Sequence, residues 1–186
     1  MITMRRIFCA SVVAAACAFP AAARADVTFT PFVSVSFSGD TNNNRGGFGG
    51  SLSFMGSVAG LELDFGHTPN FFGDDSIITD ANATTMMANL KFAPHITDRG
   101  VQPYVSGGVG LLRTRIKTDA LFDEVTSNDW GVNIGFGIGG YFSDHVGLQG
   151  DIRYFRAFQD IDVENVEVNL GSFDFWRGYF GLSFKF

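Results

Sequence analysis

The stretch Trp130-Gly131-Val132-Asn133-Ile134-Gly135-Phe136-Gly137-Ile138-Gly139-Gly140-Tyr141-Phe142 decides how this chain is read. Trp130, Val132, Ile134, Phe136, Ile138 and Phe142 alternate with Asn133, Gly135 and Gly137, a period of two. That period is the signature of a β-strand with one large apolar face and one small polar face.

The same alternation recurs on both sides of this stretch. Upstream it runs through Val27 to Phe37, where Val27, Phe29, Pro31, Val33, Val35 and Phe37 oppose Thr28, Thr30, Ser34 and Ser36, with only Phe32 breaking the pattern. It continues through Phe48 to Met55, Val58 to His67, Thr84 to Ala93 and Val101 to Leu112; downstream it returns in Val146 to Phe158 and Phe175 to Phe186. Eight strands result, each near the roughly 9–11 residues of a tilted strand that crosses a bilayer. The joins alternate in length. Those around Gly56-Ser57, Pro94 to Gly100 and Ser143-Asp144-His145 are short, whereas Ser38 to Gly46, Thr68 to Ala83, Arg113 to Asp129 and Gln159 to Asp174 are longer and polar. Short turns at one rim and long loops at the other fit an up-and-down barrel with its loops outside the cell.

Composition agrees. The 186 residues are 46% hydrophobic and 17% charged, too apolar for disorder, and 23 Gly with 21 Phe disfavour a helical bundle. A net charge of −6 gives no footprint for nucleic acid. Residues 1–25 read as a signal peptide: Arg5 and Arg6 precede the apolar run Ile7 to Phe19, and Ala23-Arg24-Ala25 supplies the cleavage site. Ala14-Ala15-Ala16-Cys17 resembles a lipobox only loosely. Cleavage after Ala25 removes Cys9 and Cys17, so residues 26–186 carry no cysteine and need no disulfide. It also leaves ten basic against 19 acidic residues, a net charge of −9. Export without cysteine suits a protein of the bacterial envelope.

A soluble sandwich also alternates, so the chemistry of the two faces must decide. In a sandwich the polar face meets water and carries long charged side chains. Here it carries Gly, Ser, Thr and Asn with a few ions, which suits the narrow interior of an eight-stranded barrel. The large Phe, Trp, Leu and Ile side chains then face lipid, and closure pairs every backbone group within the wall. Pro31 and Pro103, which cannot donate to a ladder, fall near the turn-side ends of their strands. Trp130, Tyr141, Tyr154 and Trp176 lie near strand ends or on outward faces, as an aromatic girdle requires.

The closing residues, Tyr179-Phe180-Gly181-Leu182-Ser183-Phe184-Lys185-Phe186, resemble the insertion signal at the end of outer-membrane barrels. Together with Thr30-Pro31-Phe32-Val33, Gly60 to Phe72 and Gln102 to Gly110, they make residues 26–186 resemble the eight-stranded barrels related to the OmpA transmembrane domain and the opacity-type porin-family proteins. The resemblance implies that the barrel-assembly machinery reads Tyr179, Gly181, Phe184 and Phe186. It does not extend to the peptidoglycan-binding domain of OmpA-like proteins, for which the sequence has no counterpart.

Strand parity places Glu62, Asp64, Lys91, Asp151, Arg153, Arg177 and Lys185 on the inner face, where isolated charges would be strongly penalised and should pair. Such a network is either a structural plug or a gated, narrow ion path. The long loops are acidic, with Asp74, Asp75, Asp80, Asp119, Asp123, Glu124, Asp129, Asp160, Asp162, Glu164, Glu167 and Asp174. They are either solvated faces or oxygen donors for divalent cations bridging to lipopolysaccharide, although no spacing matches an EF-hand. Some barrels of this size modify lipid A, but His67, His95 and His145 form no His-x-Ser pair resembling the deacylases. The expectation is therefore a monomeric, non-enzymatic outer-membrane barrel without cofactor, in contact with outer-membrane lipid and lipopolysaccharide, whose loops mediate adhesion or host contact. The alternative is a small channel for ions or hydrophobic solutes, with a lipid-modifying enzyme third.

Overall fold

The computed structural model describes residues 26–41, 44–71, 78–94, 101–118, 125–158 and 173–186. Residues 1–25, the expected signal peptide, lie outside them, as does His95. Eight antiparallel strands close into a barrel in sequence order: β1 (Asp26–Phe37), β2 (Arg45–Met55), β3 (Ala59–Thr68), β4 (Ile78–Phe92), β5 (Val101–Thr118), β6 (Val125–Tyr141), β7 (Val146–Phe158) and β8 (Asp174–Lys185). Each strand pairs with its sequence neighbours and β1 pairs with β8, so no edge is left open.

The alternation read from the sequence is the alternation of the wall. Val33, Leu90 and Ile134 are each 66% exposed on the outside, while Thr30 and Asn89 are 1% exposed inside. Cross-strand partners followed from Val33 through Phe48, His67 and Thr84 lead to Arg113 on β5. The opposite route, through Phe180, Gly150 and Ile138, leads to Pro103. The ten-residue offset between Pro103 and Arg113 is the stagger that tilts the strands as the sheet closes.

Three strands run further than the apolar alternation. The connection expected over Arg113 to Asp129 is mostly strand, since β5 continues to Thr118 and β6 begins at Val125; likewise β4 begins at Ile78 rather than Thr84. The pairing Arg113↔Asn128, Thr114↔Ser127 and Arg115↔Thr126 explains why. Beyond Leu112 the paired residues are mostly polar on both faces, so the alternating hydrophobic signal ends although the backbone ladder does not. Pro31 also leaves its mark: partners to β2 run unbroken through Pro31↔Gly50, whereas those to β8 skip from Phe29↔Phe184 to Phe32↔Gly181. A residue without an N–H cannot serve both ladders.

Glycine divides by face. On the outer wall a Cβ at Gly46 meets nothing within 4 Å, and one at Gly150 has its nearest atom at 3.8 Å. On the inner wall a Cβ would strike the Arg177 guanidinium at Gly66, the Asn89 side chain at Gly108 and the Tyr104 hydroxyl at Gly137. The inner glycines therefore make room for the large polar side chains that fill the lumen.

Candidate functional site

The lumen is the place where this chain gathers chemistry, and it is filled in layers. The middle layer centres on Glu62 of β3. Its Oε1 accepts from Arg153 Nη2 at 2.9 Å and Asn89 Nδ2 at 3.2 Å, and its Oε2 accepts from Lys91 Nζ at 3.1 Å. Arg153, on β7, also donates to Asp151 through Nη2 at 3.0 Å and Nε at 3.3 Å, and its Nη1 lies 3.6 Å from Asp64 Oδ2. Asp64 in turn accepts from Arg177 Nη2 of β8 at 2.6 Å. Strands β3, β4, β7 and β8 are thus tied across the bore by side chains as well as around the wall by backbone.

All six of these ions are buried, and they comprise three carboxylates and three cations, so the layer sums to zero. Neutrality is what a low-dielectric bore requires, because an unpaired charge there loses its hydration without return. Lys185, expected in the same network, is not part of it. It stands at the turn-side rim, about one-third exposed, and pairs with Asp26 at 2.6 Å. The reason is height: Lys185 is the last residue of β8, beyond the reach of the buried carboxylates.

Toward the turn side the network passes into neutral groups. Lys91 sits 4.0 Å from the Tyr104 ring, and Gln149 Nε2 donates to the hydroxyls of Tyr104 and Tyr179. Tyr141, expected in the aromatic girdle, instead has its hydroxyl 3.2 Å from Thr28 Oγ1 at the lumen mouth. Its position has inner parity, so it closes the bore rather than anchoring the outer wall. A cavity of about 50 Å³ remains between Lys91, Gln102, Tyr104, Tyr141 and Gln149, room for one or two waters.

Toward the long-loop side the lumen becomes apolar. Phe71, Ala83, Met87, Leu112, Phe155, Ala157, Phe173 and Phe175 form one buried cluster. Phe155 and Phe175 stack at 4.9 Å, Phe71 meets Phe175 edge-on at 5.0 Å, and the Arg177 guanidinium lies 4.7 Å from the Phe155 ring. The sequence reading missed this stopper. The inner parity of Phe155 and Phe175 was a usable signal, but Phe71 and Phe173 lie outside the strands and only tertiary contact reveals them.

The residues of the insertion motif are divided between faces. Tyr179 is buried against Phe32 at 4.4 Å, and Gly181 faces inward against Thr30 and Phe32. Phe184 is exposed beside Phe29, and Phe186 is exposed with its N–H on Val27 O at 2.9 Å. His67 points outward with Nδ1 2.9 Å from Thr84 Oγ1. Most of the acidic loop residues, from Asp74 to Asp80, Asp119 to Glu124 and Asp160 to Glu167, lie outside the residues whose side chains are described. Among the described residues no group of three or more His, Cys, Asp or Glu is placed to hold a metal ion.

Known proteins share this architecture. The N-terminal β-barrel domain of Pseudomonas aeruginosa OprF aligns over 88% of this chain and 99% of its own, with 19% identity and a TM-score of 0.58. Neisserial surface protein A aligns over 86% and 94% with 14% identity and a TM-score of 0.58. Ail, the attachment invasion locus protein of Yersinia pestis, aligns over 87% and 97% with 14% identity and a TM-score of 0.55. Comparison with curated protein sequences finds no match. The family model for the outer membrane protein beta-barrel domain matches residues 7–172, most of the chain. With the closed eight-stranded wall and its lipid-type outer face, this match makes the chain a member of the outer-membrane β-barrel family.

Proposed function

We propose that this protein is a closed surface barrel, which spans the outer membrane, presents its longer connections outside and conducts nothing through its bore. The observation that carries this reading is the double seal of the lumen, a neutral six-ion layer beneath a buried aromatic stopper. A solute crossing the bore would have to separate ion pairs in low dielectric and also displace packed Phe side chains. Neither is replaced by a wider path, because the inner glycines that could have left space are occupied by Arg177, Asn89 and Tyr104.

On this reading the function resides in the loop-bearing end and in contact with surrounding lipid. A role in adhesion or host contact is supported by the likeness to Ail, whose name records attachment and invasion. No catalytic step is assigned: His67 is engaged by Thr84 on the outer wall, and the lumen ions neutralise one another. The reading keeps Tyr179, Gly181, Phe184 and Phe186 as the segment handed to the assembly machinery, and the barrel as a monomer after cleavage of residues 1–25.

Planar-bilayer recording of the purified, refolded protein tests the central claim. The expected trace stays at baseline for both the wild type and Arg177→Ala, because the stopper and the Glu62 centre remain. Stepwise openings in the wild type would refute a closed bore.

A further inference from the structure

Strand β4 carries the sequence Asp80-Ala81-Asn82-Ala83-Thr84. Asn82 is the one asparagine of the chain that is followed two residues later by Ser or Thr, and the residue between them is not proline. Asn-x-Ser/Thr is the pattern on which an oligosaccharide is transferred to the side-chain amide of an exported chain. An acid two residues before the asparagine, here Asp80, is the further mark of acceptors in bacterial envelopes.

The fold puts this asparagine where a glycan can be carried. Asn82 has the outward parity of Thr84, Met86, Leu90 and Phe92, opposite to the buried Ala83, Thr85, Met87 and Asn89. The apolar outward residues of β4 begin at Met86, so Asn82 lies past them on the long-loop side, and a hydrated substituent there does not enter the apolar wall. Asn82 Oδ1 accepts from the Asn70 N–H at 3.3 Å. That donor fixes which amide atom is the oxygen, and it leaves Nδ2 without a hydrogen-bond partner among the described residues. Nδ2 is the atom that a glycan would occupy. The backbone is also held from one side only: pairing with β3 stops at Thr68↔Ala83, so Asn82 pairs with Arg115 of β5 alone, and the register shifts between Ile78 and Asp80. Thr84 Oγ1 lies 2.9 Å from His67 Nδ1 in the closed wall. The hydroxyl that a transferase must read is therefore engaged once β3 and β4 have paired, which sets transfer before closure, while the chain is in the periplasm.

We infer that Asn82 is the acceptor of an N-linked oligosaccharide, added in the periplasm before the barrel closes and displayed at the long-loop rim. The donor is an oligosaccharide carried on a polyprenyl diphosphate. Asn82 Nδ2 forms a bond to C1 of the reducing-end sugar, the bond from C1 to the diphosphate oxygen breaks with its electron pair leaving on the polyprenyl diphosphate, and the amide gives up one proton to a base of the transferase. The inference rests on export and on the long-loop end facing outward, as the surface-barrel reading does, and is independent of whether the bore conducts.

Intact-mass measurement of the full chain from the envelopes of its source cells tests it, with the Asp-N peptide of residues 80–97 fragmented to locate any added mass. The wild-type chain is expected to exceed its sequence mass by an oligosaccharide located on Asn82, and Asn82→Gln, Thr84→Val and Asp80→Asn are expected to lose that mass. Because transfer precedes closure, a variant that fails to assemble still reports its modification in the total envelope fraction. A wild-type Asn82 free of glycan, or the same added mass retained by any of the three variants, would overturn the site. Fractionation separates the two readings: an unmodified chain in the outer membrane overturns this inference alone, whereas a chain absent from the outer membrane overturns both.

Discussion

Replacing Glu62 by Gln removes the carboxylate on which the lumen layer converges, and the structure says where the loss falls. Arg153 keeps Asp151 at 3.0 Å and Asp64 at 3.6 Å, so it is not orphaned. Lys91 loses its counter-charge and keeps neutral acceptors alone, the amide oxygen at position 62 or Gln149 Oε1 at 3.4 Å, with the Tyr104 ring, and the layer changes from neutral to one net positive charge. Leaving a buried ammonium without its carboxylate costs about 3–5 kcal/mol, and the surviving Arg153 contacts place this case near the lower value. Lys91→Met leaves Glu62 with Arg153 and Asn89 and should cost about 1.5–3 kcal/mol, the range for a hydrogen bond to a charged group. In the double variant the two losses coincide, so its cost should fall below the sum by about 1–2 kcal/mol. Equilibrium urea unfolding in phosphocholine vesicles, read by Trp130 and Trp176 fluorescence, measures all three; these are the only two tryptophans in the chain. A cost for Glu62→Gln below about 1 kcal/mol, or additivity within about 0.5 kcal/mol, would show that the layer is not coupled as its geometry implies.

The same assay separates the two classes of glycine. Gly66→Ala drives a methyl into Arg177 Nη1 and should cost about 1–3 kcal/mol, while Gly150→Ala, open on the outer wall, should stay within about 0.5 kcal/mol. Equal effects would mean that inner space is not what fixes glycine. Phe155→Ala empties the centre of the stopper and is expected to cost about 3–5 kcal/mol without opening a conductance, since the ion layer below is untouched. Ile134→Arg places a charge on the middle of the outer wall and should destabilise the barrel in vesicles by about 2–4 kcal/mol. A neutral result there would argue that this face does not meet hydrocarbon.

The sequence by itself determined strand number and, for the apolar alternation, the side of the wall on which strand residues lie; the expected alternation of connection lengths did not hold, since the join at 119–124 is shorter than that at 93–100. Strand number and facing follow from the period of two, which is local: each residue faces opposite to its neighbour whatever the partner strand does. It also placed Glu62, Asp64, Lys91, Asp151, Arg153 and Arg177 on the inner face, because parity needs no knowledge of distance. Parity is silent about height and about which strands lie across the bore. Only closure with its ten-residue stagger brings Glu62 of β3 to Arg153 of β7, and only height removes Lys185 from the network to Asp26. The strand extensions above the membrane escaped the sequence because backbone pairing there proceeds without an apolar face. The stopper escaped because Phe71 and Phe173 approach Phe155 and Phe175 through the fold. Alternation along a chain is a one-residue property, whereas levels and bore-spanning contacts belong to the closed cylinder.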